Sequence, residues 1–224
     1  MGSKAGAWQE SKILCDGAES MIMTEKAKKL ILSFEGLDQP YKWPRGGSGV
    51  TIGRGYDLGY VTASEFANDW ADYLPNEYIE RLKSAIGYTG EIARRIAYRF
   101  FDIQIKLEWA DAVFELNMLP KQMWRTIIAF PGVEELPADA QGALVSLVYN
   151  RGTSMGSPNE DDTPDSRMEM RTIRDAVKVG DLVTIVNQLR FMKRLWVGKG
   201  LDGLLKRRDA EAALVESCID GVVA

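Results

Sequence analysis

The sequence predicts an α+β fold that is mostly α: a small N-terminal β-hairpin or three-stranded sheet, a larger helical lobe, and a cleft between them. Three observations carry this. A first amphipathic helix is legible from Thr24. Glycine then crowds a short stretch that also holds β-prone residues, and from Thr62 onward the pattern is helical and punctuated by proline.

Residues 1–20 are small and polar without periodicity and read as a poorly ordered extension. Residues 21–220 read as a single domain, with the β-containing lobe at about 37–61 and the helical lobe at about 62–218. Thr24 is placed to cap the first helix, because Ala27, Leu30, Ile31 and Phe34 follow at i, i+3, i+4, i+7 spacing. Gly36 ends it and leaves Glu35 in the last turn. Between 37 and 61 lie Gly46, Gly47, Gly49, Gly53, Gly55 and Gly59, with strand candidates at Tyr41–Trp43 and Val50–Ile52. Helices are expected over 63–73, 76–86, 90–103, 107–118, 121–130, 137–150, 167–178, 180–194 and 202–218, with Ser64 and Asp181 as caps. Ala138–Tyr149 is mostly small and apolar and reads as a buried central helix. Thr153–Ser166 is polar, acidic and proline-containing, and reads as a surface loop.

Composition narrows the chemistry. The 224 residues contain no histidine and two cysteines, Cys15 and Cys218. Imidazole-based triads and dyads are excluded, as are His-ligated or Cys-rich metal sites. Acid–base work therefore falls mainly to carboxylates, and neither a metal nor a cofactor is expected. A net charge of −4 argues against a dedicated nucleic-acid binder. No apolar run reaches the roughly 18–20 residues of a membrane span. No secretory h-region is recognisable, and Gly6 stands where a myristoylation site needs Ser or Thr.

The segment Gly53-Arg54-Gly55-Tyr56-Asp57-Leu58-Gly59 fails as a nucleotide motif. Its last glycine is one residue too far for the dinucleotide fingerprint, and no Lys-Ser/Thr follows for a P-loop. It reads better as a polar turn beside Glu35. A glutamate at a helix C-terminus faces the negative end of the helix dipole, which disfavours ionisation and suits a general acid. Taken alone, Glu35 is equally an ordinary solvated glutamate, Asp57 a turn-stabilising aspartate, and Thr51 a β-strand threonine whose hydroxyl lies opposite Val50 and Ile52.

Together these residues are more specific. Ser33-Phe34-Glu35-Gly36-Leu37, Tyr41 and Gly49-Val50-Thr51-Ile52-Gly53-Arg54-Gly55-Tyr56-Asp57-Leu58-Gly59 resemble the active-site segment of the phage-type, T4-lysozyme-like muramidases. Leu144–Gly152 resembles that family's central helix, and Leu201–Glu211 resembles its C-terminal G-L-x-x-R-R-x-x-E helix. The resemblance runs from about residue 21 to 218 and implies a lysozyme-like fold. It departs at Lys42-Trp43-Pro44, where the family's usual aspartate is missing. A pesticin-like branch, which includes effector lysozyme domains, places its aspartate after the threonine, where Asp57 stands. Asp38 is the rival, expected to face solvent.

The resemblance implies a glycoside hydrolase, a peptidoglycan N-acetylmuramidase of inverting type, cleaving the β-1,4 bond between N-acetylmuramic acid and N-acetylglucosamine. By position Glu35 is the acid, Asp57 the base and Thr51 the residue placing water. Tyr41, Trp43, Asn150 and Arg151 are candidate sugar contacts, with Asn150 equally a helix cap, and Arg207 or Arg208 is expected to support Glu35. A low pKa is expected for Asp57, from glycine N–H groups and Arg54. The implied context is bacterial cell-wall lysis by a monomer made in the cytoplasm. It would reach the periplasm or wall by holin release, as a phage endolysin, or by secretion, as an antibacterial effector with an immunity or inhibitor protein as partner. The alternative is a catalytically inactive peptidoglycan-binding module.

Overall fold

A computed structural model of the chain describes residues 21–156 and 165–220; the expected extension 1–20 and the centre of the acidic loop, 157–164, lie outside them. The protein is 64% helical with one small antiparallel sheet among the described residues, which makes it α+β and mostly α. The helices are α1 (Glu25–Phe34), α2 (Ala63–Trp70), α3 (Asn76–Lys83), α4 (Gly90–Ala97), α5 (Leu107–Val113), α6 (Leu119–Ala129), α7 (Ala138–Arg151), α8 (Met168–Lys178), α9 (Leu182–Phe191) and α10 (Asp202–Asp220). Each helical stretch predicted from Thr62 onward overlaps one of them. Where the prediction ran longer, the extra residues include 3-10 turns (Tyr98–Phe100, Met192–Leu195), a π turn (Phe114–Met118) and simple turns at 71–73 and 84–86. The π turn ends two residues before Pro120, which lacks the N–H that a regular helix would donate to the carbonyl four residues back.

The sheet is smaller than expected and its second strand lies elsewhere. β1 (Thr51–Ile52) pairs with β2 (Tyr56–Asp57), Thr51 opposite Asp57 and Ile52 opposite Tyr56. Gly53 and Gly55 in the connecting turn have φ of +64° and +82°, a region open to glycine without penalty. Tyr41–Trp43 is not a strand. The Lys42 N–H donates to the Gln39 carbonyl at 2.9 Å and closes a turn there instead.

The chain divides into two compact units. One is Glu35–Leu119; the other joins the segment ending at Phe34 to the chain from Pro120. This differs from the predicted lobes, since the helices from 63 to 113 belong with the sheet and α1 belongs with the C-terminal half. In the sheet-bearing unit, Thr62 rather than Ser64 caps α2, accepting from the Glu65 N–H. Asp69 is buried and accepts from the Tyr56 hydroxyl and from the Asn117 amide, each at 2.9 Å. That ties β2 to α2 and to the π turn. The Tyr56 ring meets Trp70 edge-on at 5.7 Å.

In the other unit, Thr24 caps α1 as predicted, accepting from the Ala27 N–H at 3.1 Å and donating to Asp139 of α7 at 2.6 Å. Residues Ala140–Val148 of α7 are all buried, the central helix expected from their composition. Gly142 lets α1 approach closely, because a Cβ there would overlap that of Ala27. α10 packs on α9, α7 and α1, and α9 on α8. Asp181 caps α9 as predicted, accepting from the Thr184 N–H.

Beneath these contacts lies an ionic network. Glu211 is fully buried; its Oε1 accepts from Ser146 Oγ at 2.6 Å, from Arg208 at 2.7 Å and from Arg207 at 3.3 Å. Removing one member of such a set strands buried charge. Glu211→Gln is therefore expected to lower the unfolding free energy by about 3–5 kcal/mol, read from a urea titration. A loss below about 1 kcal/mol would show that the network does not hold the unit together.

Candidate active site

Three carboxyl-bearing residues, Glu35, Asp38 and Asp57, belong to the sheet-bearing unit. α1 stops at Phe34, one residue earlier than predicted, so Glu35 lies just beyond the helix rather than in its last turn. Arg54, from the turn between β1 and β2, donates from Nη1 to the Glu35 carbonyl at 2.8 Å, and its Nε pairs with Asp111 of α5 at 2.7 Å. Asp111 was not singled out from the sequence, because nothing local marks a residue 57 positions away as the arginine's partner.

Asp57 is anchored as a turn aspartate. Its Oδ1 accepts from the Gly59 N–H at 2.8 Å, and the Gly49 N–H lies 3.0 and 3.1 Å from Oδ1 and Oδ2. It thereby caps the 3-10 turn Leu58–Tyr60. The glycine donors are those expected, but the pKa is not depressed. Burial pushes the Asp57 carboxyl above its ordinary value, outweighing the two N–H groups that oppose it.

Asp38 departs most from expectation. It is half-buried rather than solvated, because its backbone pairs with Gly53, N–H to carbonyl at 2.7 Å and the reverse at 3.0 Å. Burial raises its pKa first, the Glu35 charge next, and the Asp57 charge less; the Gly55 N–H acts against them. Asp38 therefore feels both Glu35 and Asp57, and three acids share one region of one unit. Like charges held this way favour retention of a proton on one member.

Thr51 is also corrected. Val50, Thr51 and Ile52 are all buried, so alternation does not expose the threonine hydroxyl. Both faces of this short strand are covered, and Thr51 Oγ1 donates to the Gly49 carbonyl at 3.3 Å. Tyr41 is half-buried with the Lys42 ammonium 5.5 Å from its ring centre, and half-buried Trp43 donates its indole N–H to the Ser48 carbonyl at 2.8 Å.

The other predicted residues belong to the second unit. Asn150 is exposed near the end of α7, and Gly152, with φ +71°, is the cap residue. Arg151 is half-buried with its guanidinium 5.0 Å from the Trp196 ring. Arg207 is buried, donates to Ser146 Oγ at 3.2 Å as well as to Glu211, and lies 5.7 Å from the Phe34 ring. Arg208, named with Arg207 as candidate support for Glu35, pairs with Glu211, one helical turn along α10. The i, i+3 and i, i+4 spacing of Arg207, Arg208 and Glu211 was visible in the sequence and signals this pairing.

Among the described residues, no group of three or more His, Cys, Asp or Glu side chains is disposed to hold a metal ion, and no helix is long and apolar enough to cross a membrane. Cys218 is a free thiol. Comparison of the chain with protein-family models and with curated proteins finds no match.

Two outcomes follow from the site. A carboxyl whose folded pKa is raised stabilises the fold fully below its unfolded value of about 3.9, and that contribution is lost as pH rises through the folded value. Asp38→Asn is therefore expected to raise the melting temperature at pH 7, with the gain vanishing by pH 3; a gain independent of pH would contradict the raised pKa. At Gly49, an added Cβ would strike Asp57 Oδ1 and the backbone of Gly59. Gly49→Ala should cost about 3 kcal/mol or more in a denaturant titration, the upper range for overpacking.

Proposed function

We propose that this protein is an N-acetylmuramidase that hydrolyses the β-1,4 bond between N-acetylmuramic acid and N-acetylglucosamine in peptidoglycan, on a lysozyme-like fold of the phage type. The observation that carries the reading is the geometry of the turn: Thr51 stands opposite Asp57 in the sheet register, and Asp38, three residues after Glu35, pairs with Gly53 between the two strands. Glycoside hydrolysis needs two carboxyl groups in different environments, one to protonate the leaving oxygen and one to take a proton from water.

In this mechanism Glu35 donates its proton to the glycosidic oxygen as the bond from the anomeric carbon breaks. Water attacks the opposite face of the sugar and its proton passes to Asp57, which inverts the anomeric configuration. A raised pKa makes Asp57 a stronger base than a free aspartate, and the glycine N–H groups hold its orientation. Thr51 is the proposed water-placing residue by its position in the motif, and its buried hydroxyl donates to the Gly49 carbonyl. Tyr41 and Trp43 are the proposed sugar contacts on the sheet-bearing unit. The protein would act as a monomer on the periplasmic or cell-wall side, after holin release or delivery by a secretion machine, with an immunity protein as a potential partner.

One observation favours a second reading, a peptidoglycan-binding module without catalysis: both Asp57 oxygens lie within hydrogen-bond reach of backbone N–H groups, as in a purely structural turn. Zymography on purified peptidoglycan separates the two. Wild type should clear the gel, Glu35→Gln should lose about 10²–10⁴-fold in rate, and NMR of the first products should show the inverted anomer. Retention of binding without clearing by wild type would establish the binding module instead.

A further inference from the structure

The end of α7 carries an accumulation of positive charge that the muramidase mechanism does not use. Arg151, Arg167, Arg171, Arg194 and Arg208 are the cations there. Arg171 pairs with Asp165, Arg194 with Glu169 at 2.6 Å, and Arg208 with Glu211. Arg151 and Arg167 have only backbone carbonyls as hydrogen-bond partners among the described residues: Arg151 donates to Ser166 at 2.5 Å, and Arg167 to the Arg151 carbonyl at 2.8 Å. Arg151 Nε is buried without a partner. The Trp196 ring forms an apolar floor, 5.0 Å from the Arg151 guanidinium and 5.8 Å from that of Arg208.

Guanidinium groups repel one another when brought together out of water, and each prefers an oxyanion in bidentate contact. Burial, with the charges of Arg167, Arg208 and Arg194, pushes the Arg151 pKa down to about 10, and Glu169 offsets this only in part. Among the described residues, the five arginines pair with three carboxylates, Asp165, Glu169 and Glu211. All five arginines remain within one unit, so the feature stands independently of how the carboxyl cluster functions.

We propose that Arg151, Arg167 and Arg194, beside Trp196, form a binding site for a compact oxyanion, a carboxylate or a phosphate. The anion takes the charge position that Arg151 and Arg167 leave unmatched, with Arg194 reaching it from the Glu169 side. It is supplied either by a free ion or by an acidic group on a cell-wall polymer, and the chemistry of recognition is the same in both cases.

The test uses the full chain with inorganic phosphate and with acetate as probes, against chloride at equal ionic strength. Melting temperature and tryptophan fluorescence are followed as each anion is titrated. Wild type should show a saturable rise in melting temperature. Arg167→Gln should weaken the midpoint at least about tenfold, the effect of losing one charged hydrogen bond, while melting no lower than wild type in chloride because a repelling charge has gone. Arg151→Lys, which keeps the charge and removes the planar fork, should weaken it as well. A second arm sediments the protein with peptidoglycan before and after amidation of its carboxyl groups. Retention that falls on amidation and in Arg167→Gln assigns the anion to the polymer, and saturation by phosphate alone assigns it to a free ion. A wild-type response that does not saturate, or one that both variants retain unchanged, overturns the proposal whether or not the protein clears peptidoglycan.

Discussion

The carboxylate of Asp57 is the constraint on which the sheet-bearing unit depends. It gathers the N–H groups of Gly49 and Gly59, the residues at either end of the segment that contains β1, the turn and β2. No room remains for a side chain at either glycine, since a Cβ at Gly49 or Gly59 would run into Asp57 or its surroundings. With that clamp in place, Thr51 faces Asp57 in register and Gly53 is left to pair with Asp38. One side chain therefore joins the two ends of the segment that carries the sheet. The proposed base and the fold are the same group, so any catalytic tuning of Asp57 is also a change to the turn.

A comparable economy governs the other unit. Ser146, Arg207, Arg208 and Glu211 bring two helices together through charges that are almost entirely removed from water. Burial raises the Glu211 pKa while the two arginines pull it down. Such a network is costly to assemble and more costly to break, and it stabilises only when each charged group has its partner. At the end of α7, among the described residues, the arginines outnumber the carboxylates they contact.

Much of this architecture was readable from local rules. Thr24 and Asp181 lie where capping chemistry places them, and the run Ala140–Val148 is buried as its small apolar composition implies. The errors share one cause. Tyr41–Trp43 has β-prone side chains, yet a hydrogen bond from Lys42 to Gln39 turns the chain before it can pair. Thr62 competes with Ser64 for the same helix start, and only the observed geometry selects between them.

By itself the sequence determined the helical segments, the glycine turn and the inventory of reactive groups: carboxyls in plenty, no imidazole, two thiols. These depend on periodicity, backbone freedom and residue identity, which are local. The tertiary structure alone decided that Asp38 is half-buried beside Gly53, that Thr51 is covered on a strand with no open face, and that burial outweighs two glycine N–H groups at Asp57. It also gave Arg208 to Glu211 and Arg54 to Asp111. Burial and ion pairing are set by which distant segments meet, and a side chain's ionisation follows from those neighbours rather than from its position in the chain.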